Sequence, residues 1–203
     1  MVNHERRFSA DYIAAREYLP QIGTLQTIRG ELYSGLRIYG EEFEKDGAYS
    51  LLHDGTHLVD IIQFILGEEL AKPVVTGVYK DEKNAVRNFT ASFSTPKCSE
   101  IQVAMSGRSR FFSFGIDILG TEGRICVGNG YAKFYKRQES KLYTGFYSLS
   151  KDKSVRLPKK TGYFSGMVKN AVDFLDGNAE LKSPLSVAIQ DIKVLEEIKE
   201  QLK

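Results

Sequence analysis

SLLHDGTHLVDIIQFILG, residues 50–67, is the stretch whose reading decides the fold. Leu51, Leu58, Ile62, Ile65 and Leu66 recur at helical spacing, so the segment reads as an amphipathic helix with one buried stripe. Yet it carries two of the chain's three histidines, His53 and His57, and then Asp60. At i, i+4 and i+7 these three share one stripe, offset from the apolar one. The helix is therefore expected to turn a polar edge toward solvent, another domain or a cleft. Asp60 and Gln63 interrupt its apolar run, which is far too short to span a bilayer.

Upstream, Ser9 is a good N-cap for a helix over 9–21, with Ile13, Ala14 and Tyr18 at helical spacing and Gly23 as the stop. Residues 24–36 alternate as a strand, and the acidic stretch 39–47 reads as a loop. Downstream of Pro73 the pattern turns β-rich: strands are expected over 74–80, 88–95, 101–107 and 111–120. A Gly-Thr-Glu-Gly turn at 120–123 leads into RICVG, and shorter strands fit 131–135 and 142–148. Connections this short favour antiparallel pairing, because a parallel crossover needs a dozen or more residues. The chain closes with a helix over 164–175, the breaker Asp176-Gly177-Asn178, and a last helix to about 202 that Ser183-Pro184 would start. Strands in a block with helices at both ends give an α+β fold in one domain, residues 1–203: a large, mostly antiparallel open sheet with helices on one face. Phe89, Phe93, Phe112, Phe114 and Tyr135 lie on strands, and alternation must send some of them outward. Too few helices are present to cover both faces, so a homodimer or homotetramer through the open sheet face is expected.

The 203 residues carry a net charge of +2, with 42% hydrophobic and 27% charged side chains. That is ordinary for a globular protein and provides no basic field for nucleic acid or a membrane surface. Cys98 and Cys126 stand far apart and read as reduced thiols. With a polar N-terminus and no membrane segment, the expected location is the cytoplasm. Gly128-Asn129-Gly130 begins like a dinucleotide fingerprint, but it sits between short strands, lacks the third glycine and opens no helix.

Three readings of the histidine pair remain open at this point. The residues could be polar groups satisfied locally. They could hold zinc, with Asp60 or an outside residue as third ligand. Or they could do acid–base chemistry, since imidazole titrates near neutral pH and two close histidines lower each other's pKa.

Four pieces of the chain, in order, resemble one family. VNHERRFSADYIAAREYLPQIGTLQTIRGEL is similar to the arginine–phenylalanine segment, helix and Ile-Gly-x-Leu turn of the C-terminal domain of the Gfo/Idh/MocA oxidoreductases. LLHDGTHLVDIIQFILG resembles that family's most diagnostic helix, FGIDILGTEGRICVGNG its Gly-Thr-Glu-Gly hairpin, and LKSPLSVAIQDIKVLEEI its last helix. The resemblance covers essentially the whole chain. It implies a substrate-binding and oligomerisation domain, separate from a Rossmann domain that binds NAD or NADP. Hydride would pass between the nicotinamide and a sugar, cyclitol or related polyol. The family's catalytic lysine would lie outside this chain; Lys72-Pro73 is not its counterpart. The chain alone is then expected to be inactive. By the same resemblance His57 is the proton-transfer partner, with His53 beside it where many members carry aspartate. Asp54, Arg37 and Tyr39 are candidate substrate contacts, and Asp60 a structural group holding the helix end or a neighbouring backbone. The opposing expectation is a stand-alone, non-enzymatic dimerisation or ligand-binding module.

Overall fold

The computed structural model describes residues 1–35, 54–82, 84, 86–157 and 162–202. Eight strands form one sheet: β1 (Leu25–Gly35), β2 (Val74–Lys80), β3 (Val86–Phe93), β4 (Ile101–Ser109), β5 (Ser113–Gly120), β6 (Gly123–Gly128), β7 (Tyr131–Glu139) and β8 (Tyr147–Lys151). Their spatial order is β2-β3-β4-β1-β5-β6-β7-β8. β1 runs parallel to β4 and antiparallel to β5; the other described pairs are antiparallel. Among the described residues four helices accompany the sheet: α1 (Ala10–Tyr18), α2 (Gly55–Leu66), α3 (Tyr163–Leu175) and α4 (Leu185–Leu202). The α+β class expected from the sequence is the class observed.

Register explains the core. Cross-strand partners share a face, so the pairing lays side chains out in rows across the sheet. One row runs Phe93–Ile101–Ile28–Ile118–Ile125–Phe134, and the next Ala91–Val103–Gly30–Ile116–Val127. All of these are buried. The alternate row, Ser92–Gln102–Arg29–Asp117–Cys126–Lys133, lies on the opposite face. The helix-bearing side buries Leu58, Val59, Ile61, Ile62, Ile65 and Leu66 of α2 together with Val194, Leu195 and Ile198 of α4. α2 seats over Gly30, where a Cβ would come within 2.9 Å of Ile62 Cδ1 and 3.1 Å of Leu58 Cδ1.

Several expectations are corrected. Phe89, Phe93 and Phe114 are buried in the core, while Phe112 is exposed and Tyr135 is half-buried in the row of Arg124, so only part of the aromatic set turns outward. The first helix ends at Tyr18, and a 3-10 turn over Leu19–Ile22 follows, because Pro20 has no N–H to donate. The strand expected at 142–148 lies at Tyr147–Lys151. β7 continues to Glu139, and Gly145 at φ +79° turns the chain back. Ser9 occupies the N-cap position of α1 but makes no side-chain cap bond. Ser183 caps nothing through its hydroxyl either: it donates to the Val2 carbonyl at 2.9 Å, while Val2 N–H donates to the Ser183 carbonyl. That exchange staples the N-terminus beside the start of α4.

Candidate active site around His57

The N-terminal segment delivers the site. Glu5–Phe8 forms a 3-10 turn, and His4, Glu5, Arg6 and Arg7 are all buried despite their charge. Burying so many ionisable groups is tolerable only if they pair, and they pair mainly with α2 and α4. Arg7 donates through Nε to both Asp60 oxygens, at 2.8 and 3.1 Å, and through Nη1 to the Lys182 carbonyl at 2.8 Å. His4 Nδ1 lies 2.7 Å from Asp60 Oδ1 and 3.5 Å from Asp191 Oδ2, without the alignment of a hydrogen bond. Gln63 donates to Asp191 at 2.6 Å and accepts from the Leu70 N–H. Burial and the nearby Asp60 charge push the Asp191 carboxyl up to about 7.

Asp60, expected as a structural group, makes contacts other than the ones named for it. It grips two side chains of the N-terminal segment, not the helix end or a backbone. The polar edge of α2 is likewise not turned wholly outward: Asp60 is 1% exposed and Gln63 is buried.

His57 stands at the rim of this cluster, one turn nearer the start of α2. Its side chain keeps 19% exposure, while its Nδ1 is buried. The accessible part of the side chain therefore lies at atoms other than Nδ1. Nδ1 lies 3.5 Å from Glu5 Oε2, and the His4 ring is edge-on at 6.1 Å. Burial, then the Arg6 charge, then His4 lower the His57 pKa to about 4 against the opposing pull of Asp54 and Asp60. His57 is neutral at pH 7 and can accept a proton or a hydrogen bond. Arg6 donates to Glu5 Oε1 at 2.8 Å and lies over the Phe114 ring at 4.1 Å. Phe114 meets Tyr12 edge-to-face, and burial pushes the Tyr12 phenol far up, so that it stays protonated.

Asp54 is buried at the N-cap of α2, close enough to His57 to act on its charge, without capping the helix through its side chain. His53, Arg37 and Tyr39 fall outside the described residues. What sequence reasoning missed is the contribution of HERRF. His4, Glu5, Arg6 and Arg7 had been read as a polar terminus; a signal was there in four ionisable residues directly preceding a phenylalanine.

A metal is poorly served. Among the described residues, His4, Asp60 and Asp191 bring ligand atoms within 4.8 Å of one another, and His57 is not in that group. The Arg7 guanidinium already lies 2.8 Å from the same Asp60 oxygen and supplies the positive charge there. A dinucleotide is not served by Gly128-Asn129-Gly130 either. The turn joins two antiparallel strands, and a Cβ at Gly128 would strike the Phe114 carbonyl and the Tyr131 ring. That space is filled by protein, not open to a phosphate.

No protein-family model and no curated protein matches the sequence. Solved structures match by shape. An oxidoreductase of Desulfitobacterium hafniense, assigned as NADPH-dependent, superposes with a TM-score of 0.80 at 15% identity, over 100% of this chain and 62% of that one. This chain shares its fold with part of that protein. An oxidoreductase from Agrobacterium radiobacter, solved with NAD+, L-tartaric acid and magnesium, gives 0.68 at 20% identity, over 97% and 60%. The UDP-N-acetylglucosamine 3-dehydrogenase of Acidithiobacillus ferrooxidans gives 0.68 at 14%, over 98% and 61%. The chain spans about three fifths of the length of each. At the level of fold, the resemblance to Gfo/Idh/MocA oxidoreductases holds. No helix among the described residues is long and apolar enough to cross a membrane.

Proposed function

We propose that this chain is the substrate-side domain of a cytoplasmic NAD(P)-dependent oxidoreductase of the Gfo/Idh/MocA type, acting on a polyhydroxylated small molecule such as a sugar or cyclitol. One observation carries the reading: a neutral imidazole, His57, stands at the rim of a buried charge cluster with part of its side chain left accessible, on a fold shared with dehydrogenases. The nicotinamide supplies hydride acceptance and donation. His57 takes the proton from the substrate hydroxyl as its carbon is oxidised, and returns it in the reverse direction. Burial first, and then the Arg6 charge, keep the resting imidazole neutral. The nucleotide itself is held by residues other than those described, since no phosphate-binding turn is formed here.

Self-association through the uncovered sheet face belongs to the same proposal. Its support is now electrostatic. The hollow of about 450 Å³ on that face is lined by Arg29, Glu31, Gln102, Asp117, Arg124 and Tyr131, among others, a mixture of signs that a second copy can complement. Sedimentation velocity tests it; a strict monomer at micromolar concentration removes it.

For the chemistry, the dehydrogenase activity of the natural gene product is screened against sugars and cyclitols. His57→Ala is expected to lower turnover about 100-fold or more with folding intact. Near-normal turnover takes His57 out of the reaction.

A further inference from the structure

Two buried atoms face each other here without an aligned partner: His57 Nδ1 and Glu5 Oε2, 3.5 Å apart. Each sits where an unmade hydrogen bond is costly. A small closure, of a few tenths of an ångström, turns the gap into a bond. The other Glu5 oxygen is already held by Arg6 Nη1 at 2.8 Å, so the carboxylate cannot swing away without breaking an ion pair that is itself nearly buried. Glu5 is also fixed at backbone level, because the 3-10 turn that carries it is anchored by Arg7 to Asp60 of α2 and to the carbonyl of Lys182.

We infer that Glu5 is the positioning residue of His57: its Oε2 accepts the Nδ1 proton and thereby leaves the Nε2 lone pair on the accessible edge of the ring. The inference rests on the reading of His57 as the proton partner and adds what sets its tautomer. The ring nitrogen that carries the proton is decided by the hydrogen bond made at the other one. Free imidazole side chains in water favour the proton on Nε2, the tautomer with no outward acceptor. A carboxylate at Nδ1 reverses that preference, because a carboxylate only accepts. Glu5 touches neither substrate nor cofactor in this arrangement; it acts through His57.

Glu5→Gln gives a sharp test. Arg6 can only donate, so it takes the amide oxygen, and the amide NH2 is left facing His57 Nδ1. That forces Nδ1 to accept and moves the proton to Nε2. Long-range 1H–15N spectra of the 203-residue chain at pH 7 read the tautomer directly, with backbone amide dispersion reporting the fold. The wild type is expected to show protonated Nδ1 and the variant protonated Nε2. A wild-type ring protonated on Nε2 overturns the inference without any variant, and so does a folded E5Q chain whose tautomer is unchanged. Activity separates this from the broader reading. If E5Q inverts the tautomer while His57→Ala leaves turnover intact, Glu5 still positions the ring and the catalytic role of His57 is what falls.

Discussion

The two faces of the sheet are built from the same strands, residue by alternate residue, and they handle charge in opposite ways. On the covered face, ionisable groups are few, deeply buried and committed: Arg7 to Asp60, Gln63 to Asp191, Arg6 to Glu5. On the open face they are half-exposed and replaceable. Arg124 pairs with Asp117 with its side chain still 45% exposed. An exposed pair contributes about 0–1 kcal/mol, whereas breaking a buried one strands a charge at several times that cost. The chemistry proposed for His57 therefore sits where the protein can hold a ring in place, and the proposed association sits where charges are cheap to rearrange.

The largest effect is expected from breaking the buried cluster. Asp60→Ala leaves Arg7 and His4 facing a cavity, and a loss of about 3–5 kcal/mol is expected in urea unfolding. The same experiment on Asp117→Ala should cost under about 1 kcal/mol. Equal losses at the two positions would dissolve the contrast between the faces.

Glycine gives the next step down. At Gly30 a side chain would be driven into Ile62 and Leu58 under α2, so Gly30→Val is expected to cost about 1–3 kcal/mol by overpacking. At Gly115 on the open side, an added Cβ meets the Tyr131 hydroxyl at 3.0 Å. Tyr131 is 40% exposed and can swing aside, so Gly115→Ala should stay within about 0.5 kcal/mol. Thermal unfolding of the pair ranks them.

Much of this division was legible beforehand. Alternation marked residues 24–36 and 101–107 as strands, and the stripe Leu58, Ile62, Ile65 on α2 was read from spacing alone; that Ile28, Leu32, Ile101 and Val103 lie inside is seen only in the structure. What periodicity could not give was partnership. Asp60 and Gln63 look like surface residues on a helical wheel, because the wheel does not know that α4 and the N-terminal turn close over them. Nor does alternation say which face a strand's aromatic residues take. Phe89 and Phe114 went inward because their register pairs them with Met105 and Leu32, a long-range fact. The parallel β1–β4 pairing is of the same kind. For the candidate site, His57 was singled out by spacing and resemblance, and Glu5 was passed over because nothing local links it to a helix some fifty residues away.

Protonation sharpens the contrast on the covered side. His57 is depressed from 6.5 to about 4, so between those values the unfolded chain binds a proton that the folded chain refuses. Its contribution is present above about pH 6.5 and is lost as pH falls toward 4. Asp191 runs the other way. Raised from 3.8 to about 7, it keeps a proton in the folded state that the unfolded chain has released. Its contribution is present below about pH 4 and is lost as pH rises through 7. The two slopes oppose each other across nearly the same window. His57→Gln should leave stability falling from pH 4 to 7, and Asp191→Asn should leave it rising. Chemical denaturation at pH 4, 5.5 and 7 reads both, and parallel profiles in the two variants would contradict the burial of one group or the other.

The smallest effect belongs to the open face. Cys126 donates its thiol proton to Asp117 Oδ2 at 3.2 Å, and its pKa is pushed up to about 11, first by burial and then by that bond and the Asp117 charge. Asp117→Asn removes the charge, leaves at most a weaker bond to a neutral amide oxygen, and does not touch the burial. The thiol pKa should fall only part of the way toward its ordinary value, so iodoacetamide labelling at pH 8.5 should quicken modestly. Stability should change by under about 1 kcal/mol. Arg124 also bears on the result. With Asp117 ionised the guanidinium is spent on that carboxylate; with asparagine in its place it is free to favour the thiolate. Labelling that stays as slow as in the wild type would mean that burial alone sets this thiol. The open face would then be less wet, and a better fit for a second copy, than its charges suggest.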